Sequence, residues 1–335
     1  MKYAILTHPL LNNYGGLLQN YALQQILKKM GQEPVTIDYV RIVASPLRIY
    51  ILSWCKSLLY FFLPGKKRIF SRYSTIGHRR KWSEAFVERY IDKTKNKTKL
   101  SNDDFNGFDG IIVGSDQVWR PRYVYNIRNY FLDFINKTSV KKVAYAASFG
   151  VDEWEYSKKL TRQCSVLAKK FDAISVRESS GVRLCKEHLD VDATYVLDPT
   201  LLLTKDVYCE LCKEISVSHD AFLAAYVLDL NDAVRLQCES IAKARGLQLI
   251  FFDAGKNASL TVPEWVAMFR DASYVVTDSF HGTVFSIIFG KEFKCLYNKS
   301  RGSARFESLL KLYESGKLDE MREFSLNWLK KSLES

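Results

Sequence analysis

The feature that most constrains the fold is a short apolar run that ends in a polar turn and precedes a second apolar run. Residues 272–276 and 284–289 are mostly apolar. The turn between them reads Thr277-Asp278-Ser279-Phe280-His281-Gly282-Thr283. A run of this length fits a buried strand, and a polar turn with glycine fits the start of a helix. The order predicts a parallel α/β sheet, in which ligands bind at the carboxyl ends of the strands.

The same order of strand, turn and helix recurs along the chain. It predicts strands at residues 3–7, 34–39, 108–113, 143–150 and 173–178, then at 222–228, 248–252, 274–277 and 292–296. A chain of 335 residues suits two domains. The pattern therefore predicts two Rossmann-like domains with a cleft between them. They cover residues 1–198, with an insertion at 41–100, and residues 199–312; a helix at 313–335 is expected to pack back on the first domain.

The net charge of +12 is concentrated in the insertion, where 15 Lys or Arg face 3 Asp or Glu. Its residues 46–64 are apolar and aromatic but carry Arg48 and Lys56, which does not suit a membrane-spanning helix. An in-plane helix followed by bases predicts docking of residues 46–81 on an anionic membrane surface. A buried helix with a solvated basic face is the alternative. Nucleic acid is not expected as a partner, because no nucleic-acid-binding motif accompanies the bases.

The cysteines and the N-terminus indicate a cytoplasmic protein. Peripheral attachment to the inner face of the plasma membrane is compatible with this location. Seven cysteines without a secretion signal are typical of reduced thiols. Cys209 and Cys212 form one C-x-x-C pair, but no second pair follows at zinc-site spacing. Neither a metal nor a cofactor is expected.

Polar side chains at the ends of several predicted strands form the candidate site. His281 can transfer a proton, and Arg177 is a fixed cation at a strand end. Asp116 is the second candidate for proton transfer, although a turn aspartate often only caps its own turn. The predicted donor-binding residues share the His281 turn: Ser279, Phe280, Gly282 and Thr283. Residues of two other turns are expected to contact the acceptor or to shape the loops: Asn13, Tyr14, Gly15, Gly16, Ser115, Gln117 and Trp119.

Four segments taken in order resemble the polysaccharide pyruvyltransferase family. They are Asn12-Asn13-Tyr14-Gly15-Gly16 with Leu18-Gln19-Asn20-Tyr21-Ala22-Leu23, Gly114-Ser115-Asp116-Gln117-Val118-Trp119, Ser175-Val176-Arg177-Glu178, and Asp278-Ser279-Phe280-His281-Gly282. The resemblance implies the two-domain GT-B arrangement. It also implies transfer of a pyruvyl group from phosphoenolpyruvate to a sugar, with a cyclic ketal as product.

The resemblance assigns roles to particular residues. Arg177 matches the family's serine-x-arginine-glutamate strand end and should hold phosphoenolpyruvate. Many members carry arginine and leucine before the histidine, where this chain has Ser279 and Phe280. That difference moves recognition of the donor to hydroxyls, backbone groups or another base.

The expected acceptor is a lipid-linked or nucleotide-linked sugar of a surface polysaccharide precursor. Two other functions stay open from the sequence: a GT-B glycosyltransferase that uses a nucleotide sugar, and a non-catalytic sugar-binding protein at the membrane. The sequence does not identify the sugar, its modified hydroxyls, the ketal stereochemistry or the oligomeric state.

Overall fold

A computed structural model describes residues 1–40, 80–136, 140–217, 220–252, 259–296 and 303–334. Six parallel strands form the first sheet, in the order β2-β1-β3-β4-β5-β6. Their bounds are β1 (Lys2–Leu6), β2 (Glu33–Thr36), β3 (Gly110–Val113), β4 (Lys141–Ala147), β5 (Ala173–Val176) and β6 (Thr194–Tyr195). β1, β3 and β4 are almost entirely buried, as expected of central strands that helices cover on both faces.

Four parallel strands form the second sheet, in the order β10-β9-β7-β8. Their bounds are β7 (Phe222–Tyr226), β8 (Gln248–Phe251), β9 (Tyr274–Thr277) and β10 (Glu292–Cys295). Two parallel sheets, each with crossover helices, confirm the predicted α/β class with two Rossmann-like domains.

Ten α-helices lie in the described part of the chain. They are α1 (Tyr14–Lys29), α2 (Lys81–Tyr90), α3 (Lys158–Ala168), α4 (Ser179–Leu184), α5 (Lys205–Leu211), α6 (Asp232–Arg245), α7 (Val262–Asp271), α8 (Phe280–Ile288), α9 (Ala304–Glu314) and α10 (Leu318–Glu334). Local sequence explains several of their ends. Asn13 caps α1 by accepting a hydrogen bond from the Gly16 N–H, and Thr261 and Glu264 form a capping box at α7.

The first helix begins earlier than the sequence pattern predicts. Apolar periodicity suggests a start at Leu17, whereas α1 begins at Tyr14, directly after its cap. Gly15 and Gly16 therefore lie in the first helical turn rather than in a loop. Their place in the helix brings the backbone of this turn close to the second domain.

The two domains share one apolar core. Tyr14 of α1 stacks between Trp82 of α2 and Trp265 of α7, with ring centroids 4.3 and 5.4 Å away. The Tyr14 hydroxyl donates to the Leu260 carbonyl oxygen at 2.7 Å. Because Trp265 and Leu260 belong to the second domain, the start of α1 is held against that domain by apolar packing.

The C-terminal helix α10 packs against the first sheet. Leu329 and Leu333 are buried in the shared core. The Tyr3 hydroxyl donates to the Leu333 carbonyl oxygen at 3.1 Å, and the Leu197 N–H donates to the Ser325 hydroxyl at 3.0 Å. The last helix thus packs along the first sheet, from the start of β1 to the segment directly before Asp198.

Only the end of the basic insertion is described. Trp82, Phe86 and Val87 of α2 are buried, so this part belongs to the core of the first domain. The proposed membrane-docking segment 46–81 lies outside the described residues apart from its last two positions.

Candidate active site

A cavity of about 390 Å³ lies where the strand ends of the two sheets face each other. Strand order reverses between β1 and β3 in the first sheet and between β7 and β9 in the second. Loops that follow these four strands line the cavity, together with the start of α9. The lining residues are His8, Pro9, Leu11, Asn13, Asp116, Gln117, Tyr123, Leu228, Asp278, Ser279, Phe280, His281, Arg305 and Phe306. Such a reversal is the usual ligand site of an open α/β sheet, and here two of them meet.

A larger groove, of about 770 Å³, lies between α2, α5 and α7. None of the described residues that line it is a histidine. The smaller cavity holds two histidines, two carboxylates and an arginine, so it is the candidate active site.

Beneath the cavity, one arginine binds two buried carboxylates. Arg177, directly after β5, donates to Asp198 Oδ2 and Asp116 Oδ1, both at 2.8 Å. The Arg177 side chain is 0% exposed. Burial favours the neutral carboxyl, but the charge of Arg177 outweighs it. The pKa of Asp116 therefore lies well below its ordinary value.

Asp198 is held from several sides. Its Oδ1 accepts hydrogen bonds from the N–H and hydroxyl of Thr200, and its Oδ2 also accepts from the Ser115 hydroxyl at 3.2 Å. Burial opposes ionisation, while His281, Arg177 and the Thr200 bonds favour it, and the net pKa is lowered. Asp198 is thus a fixed anion between Arg177 and His281.

His281 lies in the first turn of α8 and points at Asp198. Its Nε2 is 3.8 Å from Asp198 Oδ2, and this buried nitrogen has no hydrogen-bond partner among the described residues. Burial lowers the pKa of the imidazole; Asp198 and Asp116 oppose this, and Arg177 and Arg305 add to it. The net effect is a lowered pKa, so His281 is neutral at neutral pH. Any anion that enters the cavity will raise that pKa.

The His281 ring rests directly on Gly15 of α1. A Cβ at this glycine would lie 2.0 Å from Nδ1 and 2.3 Å from Cγ of the imidazole. No atom other than hydrogen fits there, so glycine at this position permits the contact between α1 and α8.

Replacing Gly15 with alanine is expected to displace His281 and to lower turnover by about 100-fold, the usual cost of misplacing a catalytic group by about 1 Å. Gly16→Ala is the matched control, because its Cβ would approach the Asn13 side chain at 3.1 Å and no ring. That variant should keep its activity and gain helix propensity. Steady-state rates and melting temperatures of both variants test this prediction. Equal rates in the two variants would show that the contact between Gly15 and His281 is not required for activity.

Arg305, in the first turn of α9, is a cation that the sequence analysis did not identify. Its guanidinium lies 5.3 and 5.5 Å from the ring centroids of Phe280 and Phe306. Its Nε is buried without a hydrogen-bond partner, and no carboxylate of the described residues pairs with it. Burial and the charge of Arg177 lower its pKa to about 10. A guanidinium that lines a cavity without a carboxylate partner among the described residues is suited to a carboxylate or phosphate ligand.

The other predicted site residues fall into three groups. Asn13, Gln117, Ser279 and Phe280 line the cavity, while Ser115 contacts Asp198 from below. Gly282 allows the turn to close, because a Cβ there would lie 2.3 Å from the Thr277 hydroxyl. Gly16 lies away from the cavity lining, and so do three larger residues: Tyr14, Trp119 and Thr283.

Those three side chains have structural partners. Trp119 stacks on Phe131, with centroids 4.8 Å apart, and its indole N–H donates to the Tyr130 carbonyl oxygen. Thr283 donates its hydroxyl to the Ser279 carbonyl oxygen at 3.2 Å. Tyr14 and Trp119 thus shape the loops, which is one of the two roles predicted for them, and the donor contact of Thr283 stays a prediction.

Asp198, His8 and Asp278 also lie at the site, although they are not among the residues predicted from the sequence. Asp278 accepts hydrogen bonds from the N–H groups of Leu228 and Asp229 at 2.6 and 2.9 Å, which ties together the loops after β7 and β9. A signal for Asp198 was available, because it follows an apolar run as the other polar strand ends do.

Within the described ranges, no cluster of three His, Cys, Asp or Glu side chains suits a metal ion. No helix in this part of the chain combines the length and hydropathy needed to cross a membrane.

The fold is that of two-domain GT-B proteins. Similar solved structures include a UDP-GlcNAc 2-epimerase from Neisseria meningitidis bound to UDP-GlcNAc, at 11% identity over 99% of both chains and a TM-score of 0.50. They also include the S. aureus protein MnaA with UDP, at 10% identity over 97% of this chain and 91% of that one, with a TM-score of 0.50. At such identities the likeness concerns the fold alone.

The family is defined by sequence. The family model of the polysaccharide pyruvyl transferases matches residues 13–300, which include most of the cavity lining. The chain therefore belongs to the polysaccharide pyruvyl transferase family. No curated protein sequence matches it.

Proposed function

We propose that this protein transfers a pyruvyl group from phosphoenolpyruvate to a sugar of a surface polysaccharide precursor and forms a cyclic ketal. The observation that carries the proposal is the guanidinium of Arg305, which has no carboxylate partner among the described residues and lines the same cavity as His281, in a chain from this family. A guanidinium fork provides recognition for an anionic donor, and an imidazole provides a proton.

The two arginines of the site are engaged differently before a donor binds. Arg177 contacts both Asp116 and Asp198, whereas Arg305 contacts no carboxylate of the described residues. Arg305 is left to bind the carboxylate or phosphate of the donor. The first turn of α8 adds backbone N–H groups, which also favour an anion. Arg305 thus takes the place of the arginine that many family members carry before the histidine.

Arg177 has a positioning role in this proposal. Its side chain is buried, lies 4.9 Å from the Phe280 ring centroid and is already bound to two carboxylates. It fixes Asp198, which in turn faces His281. The prediction that Arg177 holds the donor directly would require one of these ion pairs to open.

The reaction consists of an addition and a substitution. In the first step a sugar hydroxyl oxygen bonds to C2 of phosphoenolpyruvate, and the electrons of the C2–C3 double bond take a proton at C3. In the second step another hydroxyl of the same sugar bonds to C2, and the C2–O bond to phosphate breaks. The products are the ketal and inorganic phosphate. His281, once the bound donor has raised its pKa, is the proton source for C3.

Arg305→Met is expected to weaken the binding of phosphoenolpyruvate by about 10- to 150-fold, the usual worth of a hydrogen bond to a charged group. The same variant should melt at an equal or higher temperature without ligand, because burial and Arg177 disfavour the Arg305 charge. Arg235→Met is the matched control, since Arg235 also lies over a ring, Phe251, but outside the cavity. Ligand-induced shifts of melting temperature measure both effects. Unchanged donor binding in Arg305→Met would remove Arg305 from the donor site.

The nature of the donor is tested by comparing ligands. Phosphoenolpyruvate and UDP-sugars are titrated separately, and the proposal expects stabilisation by phosphoenolpyruvate. Stabilisation by a UDP-sugar alone would favour a glycosyltransferase, and stabilisation by neither would favour a non-catalytic sugar-binding protein. The acceptor in this proposal is a lipid-linked or nucleotide-linked sugar, presented at an anionic membrane surface through residues 46–81.

A further inference from the structure

The reaction proposed above needs a proton acceptor as well as a proton donor, and the sequence offers Asp116 for the second role. Asp116 is a poor candidate in the folded protein. Its Oδ1 accepts hydrogen bonds from Arg177 and from the Gln117 N–H, both at 2.8 Å. Its pKa is held well below the ordinary value, so the carboxylate is a very weak base. The reaction therefore needs a proton acceptor other than Asp116.

His8 is the second imidazole of the cavity lining. It follows β1, at the strand reversal of the first sheet, whereas His281 follows β9, at the strand reversal of the second. The His8 ring packs against Tyr130, with centroids 6.2 Å apart, and it is half-buried. The Gln117 backbone, on the loop after β3, faces the same cavity and acts on the His8 imidazole. A neutral imidazole that donates from one nitrogen presents an acceptor at the other.

The groups that face His8 keep it uncharged. Burial lowers its pKa most, and the charge of Arg177 acts in the same direction. Asp116 and the Gln117 backbone raise the His8 pKa, but they do not reverse the net lowering. Tyr130, its aromatic neighbour, has a pKa raised by burial and is neutral as well. At neutral pH the imidazole is therefore in the form that accepts a proton.

We propose that His8 is the general base of the reaction and His281 its general acid. His8 takes the proton of the attacking sugar hydroxyl as the bond from oxygen to C2 forms, and His281 gives its proton to C3. In the second step the proton of the second hydroxyl leaves with the phosphate. After product release, proton exchange with water deprotonates His8 and reprotonates His281. The two imidazoles thus approach the reacting carbons from different domains. This assignment depends on the proposed pyruvyl transfer.

The first test needs no acceptor. The chain has 5 histidines, so the ring nitrogens of ¹⁵N-labelled protein can be assigned with His8→Asn and His281→Asn variants. The proposal expects His8 to be a single neutral tautomer at neutral pH, with a pKa below that of a free histidine. Phosphoenolpyruvate should raise the pKa of His281. A His8 ring that is protonated at neutral pH would overturn the assignment.

The second test uses methyl pyranosides and UDP-sugars as acceptors, with phosphate release as readout. His8→Ala and His8→Asn should lose about 100- to 10,000-fold in kcat, as expected for loss of a general base. Added imidazole should restore part of the rate in His8→Ala, and the acid limb of the pH profile should disappear. Donor-induced stabilisation should persist. His188→Asn, at a half-buried position outside the cavity, is the control.

The outcomes separate this assignment from the proposed function. The role of His8 is overturned if the His8 variants have a normal kcat. It is also overturned if their kcat is lower but added imidazole does not restore it and the acid limb of the pH profile remains. Pyruvyl transfer stands in both cases. Absence of phosphate release by the wild type with every acceptor contradicts the proposed function itself, and the base assignment falls with it.

Discussion

Replacing His281 with asparagine is expected to lower kcat by about 100- to 10,000-fold, the usual contribution of a general acid. The protein should still fold, because the buried Nε2 makes no hydrogen bond within the described chain and its loss leaves no partner unsatisfied. The proposal also expects phosphoenolpyruvate to stabilise the variant, since Arg305 is unchanged. Single-turnover rates and ligand-induced melting shifts measure the two effects separately.

The control for this prediction is His188→Asn. His188 stacks on Trp154, with ring centroids 4.4 Å apart, and lies away from the cavity. It should retain the wild-type rate. If His281→Asn turns over normally, or if a stabilised version of it regains full activity, His281 has only a structural role.

The histidines also make stability depend on pH. Burial holds the pKa of His281 and of His8 below their ordinary value of 6.5. The unfolded chain therefore binds more protons than the folded chain between the folded pKa and 6.5. The free energy of unfolding should fall as the pH drops through this window, and His281→Asn should make the decline less steep. Urea denaturation across the window measures it.

Replacing Arg177 with methionine is expected to cost about 3–5 kcal/mol of stability, because it leaves two buried carboxylates without their cation. Asp198 and Asp116 are 1% and 8% exposed, so water does not replace the lost partner. The deficit should shrink at mildly acidic pH, since both carboxyl pKa values rise once the guanidinium is absent. Urea denaturation at acidic and neutral pH provides the measurement.

A triple variant tests whether the unpaired carboxylate charges cause the loss of stability. Arg177→Met combined with Asp116→Asn and Asp198→Asn removes the unpaired charges and should recover much of the stability. Arg183→Met is the surface control, because Arg183 and its partner Glu187 are about half exposed and such pairs contribute little. An Arg177→Met variant as stable as Arg183→Met would contradict the account of the buried triad.

The sequence predicted the sheets because buried parallel strands are continuous apolar runs. The central strands β1, β3 and β4, and β7 and β9 of the second sheet, were all identified from that signal. β6 was not, because it has only two residues and its edge position needs no apolar run. Asp198 follows this short strand, which explains why it was read as a boundary instead of as a member of the site.

The sequence predicts those residues of the candidate site that directly follow an apolar strand. The turns after β3 and β9, and Arg177 after β5, were identified because polar residues end apolar runs. Arg305 could not be found in that way, because it lies on a helix and reaches the cavity only through packing of α9. Nothing in its local sequence distinguishes it from the many surface arginines of this basic chain.

For the aromatic residues in the ligand-side turns, the sequence left open whether they contact the acceptor or shape the loops. Tyr14 and Trp119 stand next to cavity residues in sequence, yet both rings are buried in apolar clusters. Large rings gain more from burial than from exposure at a polar mouth, so tertiary packing decides their direction. Tyr14 instead joins the two domains and thereby positions Gly15 beneath His281.

The most direct test of pyruvyl transfer is mass spectrometry of sugar acceptors incubated with phosphoenolpyruvate and the wild-type protein. Methyl pyranosides, UDP-sugars and polyprenyl-phosphate-linked sugars are the acceptors, and the His281→Asn variant is the matched control. The account predicts that one class gains the mass of a pyruvate less one water, with one phosphate released for each ketal formed. Release of UDP from a UDP-sugar, with a glycosyl increment on the acceptor and no pyruvyl product, would contradict it.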